Sequence, residues 1–193
     1  MDMSALNPVA IAVALIVAAT PLVFAAIGEL VVEKAGVLNL GVEGMMIVGA
    51  IAGFAFTQET GSTTVGVLAA LIAGALLAAL FAFMTQVLMS NQVATGLALT
   101  LFGLGLAAMI GQPYSGIPAP PFPELAIPGL SSLPVIGPLL FAHDWLVYAS
   151  LVLTAGVWWL LNRSRAGLIL RAVGENHDAA HAIGYRVVAI RTA

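Results

Sequence analysis

The stretch that organises this chain is its C-terminal one, Asn162–Ala193, which reads NRSRAGLILRAVGENHDAAHAIGYRVVAIRTA. It holds five of the six basic residues, and the sequence before it is overwhelmingly apolar. Lys and Arg beside a membrane span tend to stay in the cytoplasm, and this bias sets the orientation of a membrane protein. We therefore predict that residues 162–193 form a cytoplasmic segment and that the residues before them cross the membrane.

Composition points to the same class of protein. Of the 193 residues, 61% are hydrophobic and only 8% are charged, whereas a soluble domain carries roughly 25% charged residues. The C-terminal segment has a net charge of +3, from five Arg against Glu175 and Asp178, so the total of -3 leaves -6 for the rest. This asymmetry suits one basic cytoplasmic face and does not suit nucleic-acid binding. The absence of cysteine excludes thiolate catalysis and Cys-ligated metals.

Apolar runs of about 20 residues predict an all-α integral membrane protein, a polytopic helical bundle formed by residues 1–161. We predict about five spans, near residues 9–28, 37–57, 63–88, 94–110 and 145–161. Glu29–Lys34 is expected to be a short charged turn. Residues 112–144 hold eight of the ten prolines, which predicts an extended extracytoplasmic loop with one short helix at most. An odd number of spans places the termini on opposite sides, and every basic residue then faces the cytoplasm.

Small residues mark the places where helices can approach closely. Gly49 and Gly53 have GxxxG spacing in the second span, and the fourth span offers Gly96, Gly103 and Gly105 as packing notches. We expect neighbouring helices to pack at these positions.

Polar residues near the mouths of the spans are the candidates for a solute path. Residues 36–46 read GVLNLGVEGMM, and a carboxylate such as Glu43 costs roughly 2.5–3.5 kcal/mol at a helix centre and less toward an end. Such a group usually faces a cavity or a partner, although Glu43 at headgroup level, or paired with Lys34, is the alternative. The path candidates are Asn39, Glu43, Gln92, Thr95 and Thr100. Hydroxyl and amide groups at such places more often bond across helices.

The C-terminal segment predicts an amphipathic helical stretch, with a break at Gly174 or Gly184. It is either an interfacial helix on lipid or a docking element for a cytoplasmic protein. His177, Asp178 and His181 have the spacing of half a metal site, but the sequence offers no third ligand. We expect a solvated helix face there and no metal.

Several stretches together resemble the permease subunits of bacterial ABC importers, in the nucleoside and simple-sugar group related to the ribose and branched-chain amino acid permeases. The resemblance runs nearly end to end. It rests on Gly28-Glu29, Glu33-Lys34, Gly36–Met46, Asn91–Leu99, Ile127–Ser131, Leu133–Pro138 and Leu170–Asn176. Asp178-Ala179-Ala180 and Gly184 then resemble the coupling loop of importers, with Asp in place of Glu and His177 where proline is common.

The resemblance implies a permease subunit that moves a small polar solute inward, a nucleoside or a simple sugar, and that is not an enzyme. The implied ATPase-coupling residues are Arg171, Glu175, Asn176, Asp178, Ala179, Ala180 and Gly184. The coupling helix is expected to be Glu175–Gly184, and charge pairs of Arg171 and Glu175 are expected to fix it in place. ATP is bound by the partner ATPase, so this chain needs no cofactor of its own.

The resemblance also implies partners and a location. These are two ABC ATPase subunits, a second permease subunit, and an extracytoplasmic solute-binding protein that docks near residues 112–144, all at a bacterial inner membrane that this chain crosses several times. Relatives continue with further spans, so the chain is expected to be truncated relative to the family. A self-contained secondary transporter or channel remains the alternative, and an intramembrane enzyme is less favoured because spans one to five hold no His or Cys and one acid, Glu43.

Overall fold

The computed structural model describes residues 8–126 and 136–192, and the regular secondary structure within them is helical apart from two three-residue strands. The long helices are α1 (Pro8–Lys34), α2 (Val42–Thr60), α3 (Thr63–Ala82), α4 (Gln92–Gly111) and α6 (Trp145–Arg163). The short elements are a π-helical segment (Phe83–Val87), a 3-10 turn (Gln112–Tyr114), β1 (Glu124–Ala126), α5 (Ile136–Leu140) and β2 (Ala142–Asp144). The C-terminal helices are α7 (Arg165–Glu175), α8 (His177–Ala182) and α9 (Val187–Thr192).

Four helical stretches of the described residues are long and apolar enough to cross a membrane: Pro8–Lys34, Thr63–Val87, Gln92–Tyr114 and Trp145–Arg163. This confirms a multi-pass helical membrane protein. Helix α2, which corresponds to the second of the five predicted spans (residues 37–57), is not among these four. Glu43 near its start and the polar end Gln58–Thr60 lower the hydropathy of its 19 residues. A fifth span at α2 therefore stays a prediction.

The boundaries of α1 and α2 differ from those predicted. Glu29–Lys34, predicted as a charged turn, is helical and completes α1, because Glu and Lys are good helix formers. The helix runs unbroken through Pro21 and ends where Gly36 takes a φ of 78°, a left-handed value that glycine adopts without strain. Helix α2 begins only at Val42, because the residues before it form a turn.

The proline-rich stretch contains more local structure than predicted. In its described part, β1 and β2 pair antiparallel with Leu125 opposite His143, and α5 precedes β2. Strands of three residues are too short to show a period-two pattern, so they could not be predicted from the sequence. Ile127–Ser131 and the first residues of Leu133–Pro138, which contribute to the resemblance, lie outside the described residues.

The chain divides into two compact units. One comprises Met1–Gly28 and Pro121–Leu160; in it, the buried ring of His143 lies with Nε2 2.9 Å from the carbonyl oxygen of Leu139. The other comprises Glu29–Pro120 and Leu161–Ala193, and we call it the core unit. Its apolar core consists of Val37, Val48, Leu77, Phe81 and Leu99. Apolar residues such as Leu71 and Leu101, which are 64% and 71% exposed, are expected to face lipid.

Glycines bring α2 into close contact with both of its neighbours in the core unit. A Cβ built on Gly53 would lie 3.2 Å from the carbonyl oxygen of Gly66 in α3, and one built on Gly103 would lie 2.7 Å from the Cα of Gly44. The predicted packing at these positions is confirmed. Gly105 is not a notch within the described part of the chain, where no atom lies within 4 Å of the Cβ position there.

The C-terminal segment breaks twice. The first break is at Asn176, between α7 and α8, and not at Gly174, which lies inside α7. The second follows α8, where Gly184 has a φ of 95°; this confirms the predicted break at that glycine. Its backbone N–H donates to the carbonyl of His181 at 2.9 Å, which closes the helix end.

Candidate functional site at one end of the core unit

The site is centred on residues 35–41, which connect α1 to α2 and which we call the α1–α2 turn. An extended turn leaves backbone N–H and C=O groups without helical partners, and such groups need other partners when they are buried. The backbone N–H of Asn39 donates to Oε1 of Glu29 at 3.2 Å. The N–H of Gly41 donates to Oδ1 of Asn39 at 2.9 Å. Asn39 is 7% exposed, so it organises the turn from within.

Helix α4 supplies two further partners of the turn. The backbone N–H of Leu38 donates to Oε1 of Gln92 at 2.8 Å. The hydroxyl of Thr100 donates to the carbonyl oxygen of Leu40 at 2.9 Å. The side chains from α4 therefore bond to the backbone of the turn and fix its position on the core unit.

The structure thus brings three of the five path candidates together, namely Asn39, Gln92 and Thr100. Thr95 makes a separate contact, with its hydroxyl oxygen 2.9 Å from that of Ser90. Glu43 is exposed in the first turn of α2, where the positive end of the helix dipole favours a carboxylate. Of the five, Glu43 is the one with an exposed side chain, whereas Asn39 is buried and Gln92, Thr95 and Thr100 are half-buried.

The predicted coupling residues lie along α7, α8 and the bend that follows. Asn176 caps α8, since its Oδ1 accepts a hydrogen bond from the N–H of Ala179 at 2.9 Å. Asp178 is exposed in the first turn of α8, as expected for an acidic residue there. Glu175, Ala179 and Gly184 are also exposed, whereas Ala180 is buried.

Arg171 does not form the predicted charge pair. It is half-buried, and its Nε lies buried without a hydrogen-bond partner among the described residues. The salt bridge found within residues 8–126 and 136–192 instead joins His177 to Asp178 at 3.3 Å. In those same ranges, no group of three His, Asp or Glu side chains is placed to hold a metal ion.

A cleft of about 290 Å³ lies where the C-terminal helices meet the end of α3. It is lined by Thr85, Gln86, Met89 and Gln92 on one side and by His177, Asp178, His181, Val187, Val188 and Arg191 on the other. The π-helical segment forms the first of these walls, and such segments are frequent at functional sites.

Within the core unit, the segments that connect the helices fall into two groups. At one end, Arg191 donates from Nε to the carbonyl oxygen of Ala35 at 3.0 Å, and the cleft joins the C-terminal helices to residues 85–92. At the other end, the hydroxyl of Tyr114 donates to Oε1 of Glu59 at 3.1 Å. Within the core unit, residues 35 and 85–92 therefore lie with the C-terminal helices, and residues 58–59 lie with Tyr114 and Pro118.

Sequence reasoning missed three residues of this site. Glu29 was predicted to be solvated, but it accepts a bond from the turn. Arg191 was counted only as a charge, and Gly174 only as a helix break. Gly174 and Arg191 contact residues far away in the sequence, so no local pattern marks them.

Comparison with known proteins places the chain in a family of transport components. Residues 11–193 match the family described as branched-chain amino acid transport system / permease component. The chain belongs to this family. The predicted resemblance is confirmed, and the family is that of a transport component, not of an enzyme.

The chain is also similar to individual permease proteins of ABC transporters. The chain is 42% identical over 178 residues to a putative glucose ABC transporter permease protein of Haloferax volcanii. It is 33% identical to a guanosine ABC transporter permease protein of Bacillus subtilis over 193 residues, and 33% identical to a nucleoside ABC transporter permease protein of Lactococcus lactis subsp. cremoris over 203 residues. These matches cover 90%, 92% and 99% of this chain and 54%, 60% and 64% of the relatives. The chain therefore spans less than two thirds of the length of these relatives. No solved structure matches it.

Proposed function

We propose that this chain is the membrane-spanning permease subunit of an ATP-driven importer that moves a nucleoside or a simple sugar into the cell. The observation that carries the proposal is the match to the permease family over residues 11–193. Relatives named for glucose, guanosine and nucleosides support the solute class. A nucleoside and a simple sugar share a ring that bears several hydroxyl groups, so the importer must recognise that ring.

We propose Glu43 as the first solute-path residue, because its carboxylate is exposed and accepts hydrogen bonds from sugar hydroxyls. In this proposal Asn39, Gln92 and Thr100 act through the turn that they hold in place. Thr95 lies in the same helix as Gln92 and Thr100, between the two. Alternating access then exposes the path to one side of the membrane at a time.

We call residues 162–193 the coupling segment, and we propose that this segment docks an ABC ATPase subunit, which binds the ATP. Support comes from the exposed side chains of Glu175, Asp178 and Ala179, and from Ile183, which is 75% exposed. A large apolar side chain at this end of the core unit is suited to burial against a protein. A second permease subunit and an extracytoplasmic solute-binding protein near residues 112–144 complete the proposed assembly.

The proposed orientation places the coupling segment in the cytoplasm, and it can be tested directly because the chain contains no cysteine. Ile183→Cys and Ile117→Cys are a matched pair, since both isoleucines are exposed and each lies in a segment proposed to face a different compartment. In intact cells, a membrane-impermeant maleimide is expected to label the variant at 117 and to label the variant at 183 only after permeabilisation. The reverse pattern would overturn the orientation.

The function itself is tested by uptake in the native host. Deletion of the gene is expected to abolish uptake of radiolabelled nucleoside or glucose, and deletion of the ABC ATPase gene is expected to do the same. Competition between unlabelled nucleosides and sugars identifies the solute. Uptake that persists without the ATPase and collapses with a protonophore would favour the self-contained secondary transporter instead.

A further inference from the structure

The coupling segment touches the α1–α2 turn backbone to backbone. A Cβ built on Gly174 would clash with the carbonyl oxygen of Lys34 and would lie 2.9 Å from the backbone nitrogen of Gly36. In turn, a Cβ built on Gly36 would lie 2.9 Å from the Cα of Gly174. The neighbouring Val173 is fully buried. Helix α7 therefore sits on the turn with no side chain between the two backbones, so one cannot slide without displacing the other.

A second contact fixes the same turn from α9. The Nε of Arg191 donates to the carbonyl oxygen of Ala35 at 3.0 Å. That oxygen lies at the C-terminal end of α1, where the helix dipole favours a cation. Ala35 is 4% exposed, so water competes little for the bond, and bonds to charged groups are the stronger ones.

Both contacts lie at one end of a continuous chain of bonded groups. The turn that receives α7 and Arg191 is the turn whose backbone bonds to Gln92 and Thr100 in α4 and whose last residues lead into α2 and Glu43. Helix α8, the proposed ATPase contact, lies in the chain between α7 and α9. Because both flanking helices contact the turn, a displacement of α8 must also displace the turn.

We propose that Gly174 and Arg191 are positioning residues that transmit movement of the coupling helix to the α1–α2 turn, and through it to the mouth of the solute path. This inference rests on the proposed function. Neither residue touches ATP or solute; each acts through the turn. Loss of the Arg191 bond therefore loosens the coupling between ATP hydrolysis and transport and leaves the ATPase attached.

The test measures solute transported per ATP hydrolysed, with variants introduced into the native gene and the whole complex purified and reconstituted in proteoliposomes. Arg191→Ala is expected to keep the ATPase in the complex and to lower transport per ATP by about tenfold, the size of a typical coupling between sites. Arg191→Lys keeps a cationic donor and is expected to restore most of the ratio. Arg186→Ala, which removes another charge of the same segment but no bond to the α1–α2 turn, is expected to keep the wild-type ratio of solute transported per ATP, whatever its effect on the amount of ATPase bound.

Gly174→Ala supplies an independent arm, with Gly105→Ala as its control because nothing lies within 4 Å of that position. Gly174→Ala is expected to lower transport per ATP and Gly105→Ala to leave it unchanged. The inference is overturned if Arg191→Ala keeps the wild-type ratio, or if hydrolysis and transport fall in proportion and Arg191→Lys rescues neither. Absence of ATP-driven uptake by the unaltered complex is a different result, which overturns the proposed function and this inference with it.

Discussion

Replacement of Gly103 by Ala tests whether α2 and α4 pack with their backbones in contact. The added Cβ would lie 2.7 Å from both the Cα and the carbonyl oxygen of Gly44. Carbon atoms in contact prefer a separation of about 3.5–4.0 Å, so the helices must part by about 1 Å to accept the methyl group. Both partners are backbone atoms and no rotamer change relieves the overlap. The matched control is Gly105→Ala, on the same helix, where the methyl group meets no neighbour.

Both substitutions gain the same helix propensity, but only the one at Gly103 causes overpacking. Ala in place of Gly stabilises a helix by about 1 kcal/mol at either position. Overpacking at Gly103 costs about 1–3 kcal/mol and is absent at Gly105. The expected net effects are a destabilisation of about 1 kcal/mol for Gly103→Ala and a stabilisation of about 1 kcal/mol for Gly105→Ala. For a chain of this size, these energies shift the melting temperature by about 3 °C in opposite directions.

The assay is thermal denaturation of the purified chain in mild detergent, followed as loss of the monodisperse peak in gel filtration of a fluorescent fusion. The expected result is a lower Tm for Gly103→Ala than for the wild type and an equal or higher Tm for Gly105→Ala. Equal shifts for both variants would refute the reasoning, because they would show that the methyl group at position 103 meets no more resistance than one at an open position.

Three further substitutions test single hydrogen bonds of the site. Asn176→Ala removes the cap that bonds to Ala179 and is expected to destabilise α8 by about 1 kcal/mol. The loss is measured as faster amide hydrogen exchange over residues 177–182. Asn176→Asp keeps a capping oxygen and is expected to retain slow exchange. Gln92→Leu removes the acceptor of the Leu38 N–H. Because this bond is exposed to water, the expected loss of stability is about 0.5–1.5 kcal/mol; Gln92→Glu, which keeps an oxygen there, should melt nearer to the wild type. Thr100→Val removes one hydroxyl donor at constant shape and is expected to lower stability by about 1 kcal/mol, and an unchanged Tm would show that its bond across the helices contributes nothing.

Helix boundaries were predictable where a polar residue caps a long apolar run. The Oγ of Ser62 accepts from the N–H of Val65, and Oδ1 of Asn91 accepts from the N–H of Ala94. These two caps start α3 and α4, and the predicted spans begin close to them. The caps are local in sequence, so a pattern that covers a few residues is enough to find them.

The candidate site was less predictable, because long-range contacts decide it. Leu38 bonds to Gln92, 54 positions away, and Ala35 bonds to Arg191, 156 positions away. The sequence shows which side chains have unusual polarity in an apolar context, but it does not show which backbone group each one meets. Gly174 illustrates the same limit: its sequence context suggests a helix break, and only the contact with Gly36 explains the glycine.

The proposed function requires an ABC ATPase that binds the coupling segment. It can be tested by purifying the tagged protein from its native host in mild detergent and identifying the co-purifying proteins by mass spectrometry. We expect recovery of an ABC ATPase with the wild type and its loss with Asp178→Lys or Gly184→Pro. Recovery of the intact, membrane-inserted protein without any ATPase, or with equal amounts of ATPase in all three forms, would rule out this mode of function.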